Sequence, residues 1–230
     1  MLELRDLTVI YPDKTKAIDS LSFSLGENEN IALIGENGAG KTSLLLAIVG
    51  ILEPASGKIE IGGMRLGKKN ANEIRKQVGL VFQNPDDQLF MPLIFDDVAF
   101  GCRNSGMAEN EIRIRVEETL ERLGIAYLRG RSPLKLSGGE KRMAAIATVL
   151  AMNPSVLVFD EPTAYLDPKA KRVLAGALKN LEHPKIIATH DMAFAAEVCD
   201  RLIVLKGGRI VADGSLDLLG DGELMREFGL

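Results

Sequence analysis

Apolar and polar positions alternate through the first stretch of the chain: Leu2, Leu4, Leu7 and Val9 precede the break Tyr11-Pro12-Asp13-Lys14, and Ile18, Leu21, Phe23 and Leu25 follow it. A period of two predicts half-buried strands forming an antiparallel β edge. Lys58-Ile59-Glu60-Ile61, followed by Gly62-Gly63, predicts another strand of the same layer, which places β structure beside the apolar strand Ile31 to Ile34. Other runs are apolar without alternation. Val156-Leu157-Val158-Phe159 has the character of a parallel strand buried on both faces, and Val78 to Phe82 and Lys185 to Thr189 predict further core strands. Ser43 to Val49 is apolar nearly all round, which predicts a helix packed against a sheet and stopped by Gly50 and Pro54. Ile74 to Gln77 closes another helical turn. Glu109 to Gly124 reads as an amphipathic helix with Ile112, Val116, Leu120 and Leu123 on one face, and Arg201 to Val211 as a hairpin about Gly207-Gly208. Ser215 to Leu230 predicts a helix that frays.

One stretch fits neither period. In Asn84 to Phe95, Asp86 and Asp87 precede an apolar cluster broken by Pro92. Such a cluster suits either a docking surface, where Met91 would be adaptable, or the interior beneath a loop.

The chemistry concentrates at strand ends. Gly35-Glu36-Asn37-Gly38-Ala39-Gly40-Lys41-Thr42 follows the Ile31 strand and opens a helix, meeting the full G-x-x-x-x-G-K-[ST] pattern of a phosphate-binding loop. Missing side chains let backbone N–H groups surround phosphates, the helix aims its positive end at them, Lys41 reaches the β- and γ-phosphates and Thr42 offers a hydroxyl to Mg²⁺. Asp160-Glu161 ends the Val156 strand, where open α/β sheets bind ligands: Asp160 suits the Mg²⁺ shell, and Glu161 suits orienting or deprotonating water. Gln83 ends another strand, where its amide would reach a metal or its water, or simply cap a loop. Ser137-Gly138-Gly139-Glu140 fits a capping box, but two glycines in a first helical turn also suit a phosphate approaching bare N–H groups. His190, after the Lys185 strand, is placed to contact a γ-phosphate, and Tyr11 to stack on a base or merely to pack.

Bulk properties narrow the partners. At 230 residues and 46% hydrophobic the chain buries a sizeable core, and its net charge of −4 gives no basic field for nucleic acid. Cys102 and Cys199 lack neighbours at metal-ligand spacing, which argues against zinc or a disulfide framework. The charged start, Met1-Leu2-Glu3-Leu4-Arg5-Asp6, reads as a mature cytosolic N-terminus, and no apolar run is long enough to span a membrane.

In this order, these motifs resemble the ATP-binding cassette (ABC) ATPases over essentially the whole chain. The resemblance assigns Gly35 to Thr42 to Walker A, with Gly35, Asn37, Gly38, Ala39, Gly40, Lys41, Thr42 and the adjoining Ser43 binding nucleotide, Gln83 to the Q-loop, Leu136 to Glu140 to the signature, and Val156 to Asp160 to Walker B. It makes Glu161 the catalytic carboxylate, Ala164-Tyr165-Leu166-Asp167 the D-loop, His190 the switch histidine and Tyr11 the adenine-stacking aromatic. It implies an α/β P-loop NTPase fold in one ABC domain over 1–230. The RecA-like core and antiparallel β subdomain would take 1–83 and 154–230, and an α-helical subdomain 84–153. It further implies ATP and Mg²⁺ as ligands and a head-to-tail dimer, in which Ser137, Gly138, Gly139 and Glu140 of one subunit, with Asp167 nearby, close over nucleotide held by the other.

Asn84-Pro85-Asp86-Asp87-Gln88, with Asp96-Asp97-Val98-Ala99-Phe100-Gly101 after it, is similar to the energy-coupling-factor importers, including the cobalt and nickel ATPases. That resemblance implies a transmembrane scaffold docking near Asp86, Asp87 and Leu89 to Phe95, a separate substrate-binding membrane component, and work at the cytoplasmic face of the cell membrane. No nucleic-acid partner is expected. The rival, a soluble ABC ATPase acting on nucleic acid or ribosomes, lacks a basic surface, and the stretch from Thr42 to Ser137 is too short for a long coiled-coil insertion. Two departures stand out. Glu140 occupies a position where the family usually has glutamine, with Lys141 beside it to offset the charge. The chain ends at Leu230, which favours a metal-ion system and a homodimer.

Overall fold

The computed structural model describes residues 2–220 and Gly222. Ten strands run in chain order as β1 (Leu2–Ile10), β2 (Lys16–Leu25), β3 (Asn30–Ile34), β4 (Ser56–Ile61), β5 (Met64–Arg65), β6 (Val78–Val81), β7 (Val156–Asp160), β8 (Lys185–Ala188), β9 (Arg201–Lys206) and β10 (Arg209–Ser215). The helices are α1 (Lys41–Ile48), α2 (Ala71–Gln77), α3 (Ile94–Asn104), α4 (Glu109–Arg122), α5 (Gly138–Leu150), α6 (Pro168–Lys179) and α7 (Met192–Val198). They belong to two compact units, one of Met1–Leu80, Ser155–Glu161 and Glu182–Leu230, the other of Val81–Pro154 and Pro162–Leu181.

In the first unit the alternating segments pair as expected. Leu2 lies opposite Leu25, Leu4 opposite Phe23 and Leu7 opposite Leu21, so these apolar residues of β1 and β2 enter one core, and the sheet runs β2-β1-β4-β5. The alternation slips by one residue at register shifts between Leu4 and Leu7 and between Ile18 and Leu21. The strand at Ile31 does not join that layer. It sits inside a second sheet, ordered β10-β9-β3-β8-β7-β6, with β8 and β9 as parallel neighbours. Strands covered on both faces need no polar side, and all five residues of β7 and all four of β8 are buried. Helix α1 buries Leu44, Leu45, Ala47 and Ile48 in the same apolar cluster as Leu4, Ile18, Ile59 and Val158. Each buried leucine or isoleucine among them contributes roughly 1.5–3 kcal/mol. The core thus clamps the start of α1, where the glycine loop lies.

The second unit is helical. α4 presents Ile112, Val116 and Leu120 inward, as its periodicity predicts, and α5 is buried along most of its length. The Asn84 to Phe95 stretch is more regular than expected: Pro85–Asp87 form a 3₁₀ turn, and Ile94 and Phe95 already belong to α3. Asp96 and Asp97 explain the early start, because carboxylates favour a helix N-terminus. Asp97 is buried, and its Oδ1 accepts the backbone N–H groups of both Phe90 and Met91 at 2.9 Å, folding the preceding turn back onto the helix. Burial raises the Asp97 carboxyl above its ordinary pKa. Leu89 and Ile94 fill the interior, as one of the two readings of the apolar cluster has it, while Phe90 is 60% exposed and Leu93 39%.

Leu216–Gly220 form a short 3₁₀ helix; of the rest of the predicted C-terminal helix, residue 221 and residues 223–230 lie outside the described residues. No helix among the described residues is long and apolar enough to cross a membrane.

Candidate functional site

The glycine loop between β3 and α1 is held by backbone geometry that side chains disfavour. Gly40 has φ +106°, and a Cβ there would lie 2.4 Å from the carbonyl oxygen of Ala17 and 2.9 Å from Ile18 Cδ1. Gly38, at φ +83°, faces open space, since a Cβ would meet nothing within 4 Å. The inner glycine is required by the protein, and the outer one leaves room on the side where a ligand would lie. Asn37 is exposed at the turn, and Ala39 is buried with its N–H donating to Glu36 O at 3.1 Å.

Lys41 is 8% exposed, and its ammonium donates to Gly35 O at 2.6 Å and Glu36 O at 3.3 Å, curling back over its own loop. It also lies 3.9 Å from Glu161 Oε1. Thr42 Oγ1 donates to Asp160 Oδ2 at 2.8 Å, tying the first turn of α1 to the end of β7. Ser43 shares a 2.9 Å hydroxyl–hydroxyl hydrogen bond with Tyr11. Tyr11 is therefore fixed at the edge of the loop by its hydroxyl, with its ring half-buried.

Glu161 follows the strand at φ +44°, a left-handed conformation that costs a residue with a side chain about 1–2 kcal/mol. Its N–H donates to Ala188 O at 2.8 Å, and its buried carboxylate turns back toward the loop. Oε2 lies 2.8 Å from Nδ1 of His190 and also accepts the His190 backbone N–H at 3.3 Å. With the carboxylate ionised, Nδ1 carries the proton and donates it. Residues held in such backbone conformations cluster at active sites and ligand clamps.

In the second unit, Ser137 caps α5. Its hydroxyl accepts from Glu140 N at 3.3 Å, while Glu140 Oε2 accepts from Ser137 N at 2.9 Å and Ser137 Oγ at 2.8 Å, completing the predicted capping box. Tyr127 donates to the other carboxylate oxygen at 3.3 Å. These donors, first the Ser137 backbone and then its hydroxyl, hold the Glu140 carboxyl below the ordinary carboxylate range. Lys141, expected to offset Glu140, instead pairs with Asp86 at 2.6 Å.

Gly139 has a structural reason to be bare: a Cβ there would lie 3.0 Å from the Cβ of Ala170. Gly138 is less confined, with Tyr165 O the nearest atom at 3.8 Å. Asp167 caps α6 by accepting from Ala170 N at 2.8 Å, and Tyr165 stands beside it at φ +62°, 91% exposed. Together they border a groove of about 540 Å³ with Tyr127, Ser137, Glu140 and Met143.

Gln83 lies just inside the second unit, which starts at Val81, and is exposed. Pattern reading passes over its supports. The Arg142 guanidinium, 1% exposed, donates to Phe82 O and Gln83 O, each at 2.6 Å, and Gln88 Nε2 donates to Ala145 O and Thr148 Oγ1, each at 2.8 Å. No periodicity marks either residue. The only sign of Arg142 is a charge at the head of the apolar run Met143 to Met152.

The donor set in the first unit suits Mg²⁺: Thr42 Oγ1 and Asp160 are hard oxygen ligands already 2.8 Å apart. Among the described residues no group of three or more His, Cys, Asp or Glu could enclose a metal by itself. Mg²⁺ that accompanies a nucleotide takes only one or two protein oxygens and is completed by water and substrate phosphates, which two such ligands suit.

A family model described as ABC transporter matches residues 18–164. The chain is 48% identical, over 98% of its length and 91% of the other's, to a Geobacter sulfurreducens protein described as an ABC transporter ATP-binding protein. It is 45% identical, over all of its length and 86% of the other's, to the energy-coupling factor transporter ATP-binding protein EcfA of Carboxydothermus hydrogenoformans. Among solved structures, cbiO1 of Clostridium perfringens, part of the ABC transporter complex cbiONQ, superposes with a TM-score of 0.87 at 37% identity, covering 98% of this chain and 93% of that one. The dimeric ATP-binding cassette MJ0796 bound to ADP and Pi superposes at 0.83 with 27% identity, covering 94% and 99%.

Proposed function

The chain belongs to the ABC transporter family, and from that premise we propose that it is the ATP-hydrolysing subunit of an energy-coupling-factor importer, carrying a cobalt or nickel ion or a vitamin. One observation carries the catalytic part: the loop lysine, the two strand-end carboxylates and His190 converge, with Lys41 3.9 Å from Glu161, Thr42 2.8 Å from Asp160 and His190 2.8 Å from Glu161.

ATP lies along the loop with its base at Tyr11. Lys41 exchanges the carbonyl oxygens of Gly35 and Glu36 for phosphate oxygens, which removes the cation facing Glu161. Glu161 then orients the attacking water and takes its proton, while His190 steadies the carboxylate and faces the γ-phosphate. Thr42 and Asp160 would hold Mg²⁺, with Gln83, by its motif, contacting the ion or its water. Bound there, Mg²⁺ neutralises charge on the phosphates as a Lewis acid. Ser137, Gly138 and Gly139 of a second copy or a paralogue complete the site, with Asp167 lining the same interface. Residues 84–153 act as the helical subdomain that passes the closing motion to the membrane scaffold.

Glu140 brakes that closure. Its charge sits at a phosphate-binding turn, and Ser137 spends its hydroxyl proton on it. Glu140→Gln keeps an oxygen acceptor for the cap and removes the charge, so ATP-driven dimerisation should tighten about two- to five-fold, with a slight loss of thermal stability. Light scattering against ATP concentration measures it; unchanged or weaker dimerisation would rule the brake out.

The scaffold would dock near Asp86, Asp87 and Leu89 to Phe95. Asp86 is engaged with Lys141, leaving Asp87 the more available acid, beside exposed Phe90 and Leu93. Phe90 packs edge-on against Phe100 at 5.0 Å, so the apolar part of this surface is presented rigidly. Affinity purification of the tagged chain from detergent-solubilised native membranes, followed by mass spectrometry, should recover an integral membrane scaffold and a substrate-binding membrane component. Reversing the charge of both Asp86 and Asp87 should abolish that recovery. Ribosomal or DNA-repair proteins in their place would overturn the importer reading, and recovery undiminished by the reversals would overturn the docking site.

A further inference from the structure

Among the described residues, Arg142 is the largest side chain less than 2% exposed, and it is charged. A guanidinium out of water is tolerated only when its donors are used, and two of them meet the consecutive carbonyls of Phe82 and Gln83 at 2.6 Å. The same turn is gripped a second time: Gln88 Oε1 accepts from Phe82 N at 3.2 Å, while Nε2 donates to Ala145 O and Thr148 Oγ1, each at 2.8 Å, on the helix that carries Arg142. A third link, Lys141 to Asp86, lies on the surface and can exchange. The main chain from Phe82 to Gln88 is therefore fixed to α5 by buried polar contacts, and α5 begins at the Ser137-Gly138-Gly139 turn.

We propose that Arg142 is a positioning residue for ATP hydrolysis, setting the main chain that aims Gln83 and locking the docking turn to the signature helix, with Gln88 as its second anchor. The proposal rests on the functional reading above, which gives Gln83 and the signature turn their roles. Arg142 and Gln88 act through the main chain of the turn and through α5. Their effect is to make the docking acids, Gln83 and the signature turn move as one body, so that a partner's pull on the turn is felt at Ser137. A fork matters here, because only a planar guanidinium satisfies two neighbouring carbonyls at once; an ammonium keeps the charge but not that geometry.

The test is a double-mutant cycle on the full chain. Arg142→Lys should lower kcat about ten-fold while KM for ATP stays within two-fold. Gln83→Ala removes the side chain that Arg142 aims, so in that background Arg142→Lys should lower kcat less than three-fold. ATP-driven dimerisation, read by light scattering in the Glu161→Gln background, should weaken in Arg142→Lys, because the signature turn loses its tether. Multiplying effects in the cycle, or wild-type kcat and dimerisation in Arg142→Lys, would overturn the proposal. Should Arg142→Lys not purify folded, Gln88→Met carries the same cycle with the same expected outcomes. Absence of ATPase activity in the wild-type chain would instead strike the functional reading itself, and this inference with it.

Discussion

Glu161→Gln is expected to slow ATP hydrolysis by about a thousand-fold and to convert ATP from a substrate into a stable dimerising ligand. The size follows from general base catalysis, which contributes roughly 10² to 10⁴ in rate. The amide retains the shape of the carboxylate and can accept from His190, yet it takes no proton from water. Two consequences should appear together, a collapse of kcat in a phosphate-release assay and an ATP-dependent doubling of mass by light scattering. The variant also removes the negative charge beside Lys41, so ATP affinity should not fall. A variant that stayed monomeric with ATP would refute the head-to-tail mechanism, and one that kept normal turnover would remove Glu161 from catalysis.

Gly40→Ala is expected to lower stability by roughly 3–4 kcal/mol and abolish ATP binding. Part of the loss is backbone strain at φ +106°, about 1–3 kcal/mol; the remainder is the clash of a methyl group 2.4 Å from a carbonyl oxygen in a packed region. For a chain of this length the melting temperature should drop by about 10 °C. Gly38→Ala is the control. Its left-handed φ of +83° brings strain, but the new methyl meets no protein atom within 4 Å. It should melt within a few degrees of wild type and still lose ATP affinity, because the methyl enters the space left for the phosphates. Equal melting of the two variants would contradict the loop geometry.

Much of the site is legible in the sequence because its parts are local. A short apolar strand, a glycine turn and a helix at Ile31 to Val49 need no distant residue to be recognised, and neither does the capping box Ser137 to Glu140. The doubly buried strand ending in Asp160-Glu161 is equally plain, since nothing polar interrupts it until the carboxylates. Other signals are present but slight. Asp167-Pro168 starts α6 as a cap followed by proline at the first helical position, and Ile94, Val98 and Cys102 give α3 a helical stripe that the preceding prolines obscure.

The sequence by itself determined most of the strands, α1, α4 and the capped start of α5, the fold family and the residue types able to hold phosphate and metal, because spacing along a strand or helix fixes which side chains share a face or an end. Helices α3, α6 and α7 emerged only in the fold. The tertiary structure alone decided who meets whom. It placed β3 between β8 and β9 rather than in the N-terminal layer, gave Lys141 to Asp86 instead of Glu140, turned Glu161 onto His190 and Lys41 at φ +44°, and buried Arg142 against Phe82 and Gln83. The reason is physical. A buried polar group takes whichever partner the packed chain brings within about 3 Å, and that choice depends on how whole elements stack, which hydrophobic periodicity does not encode.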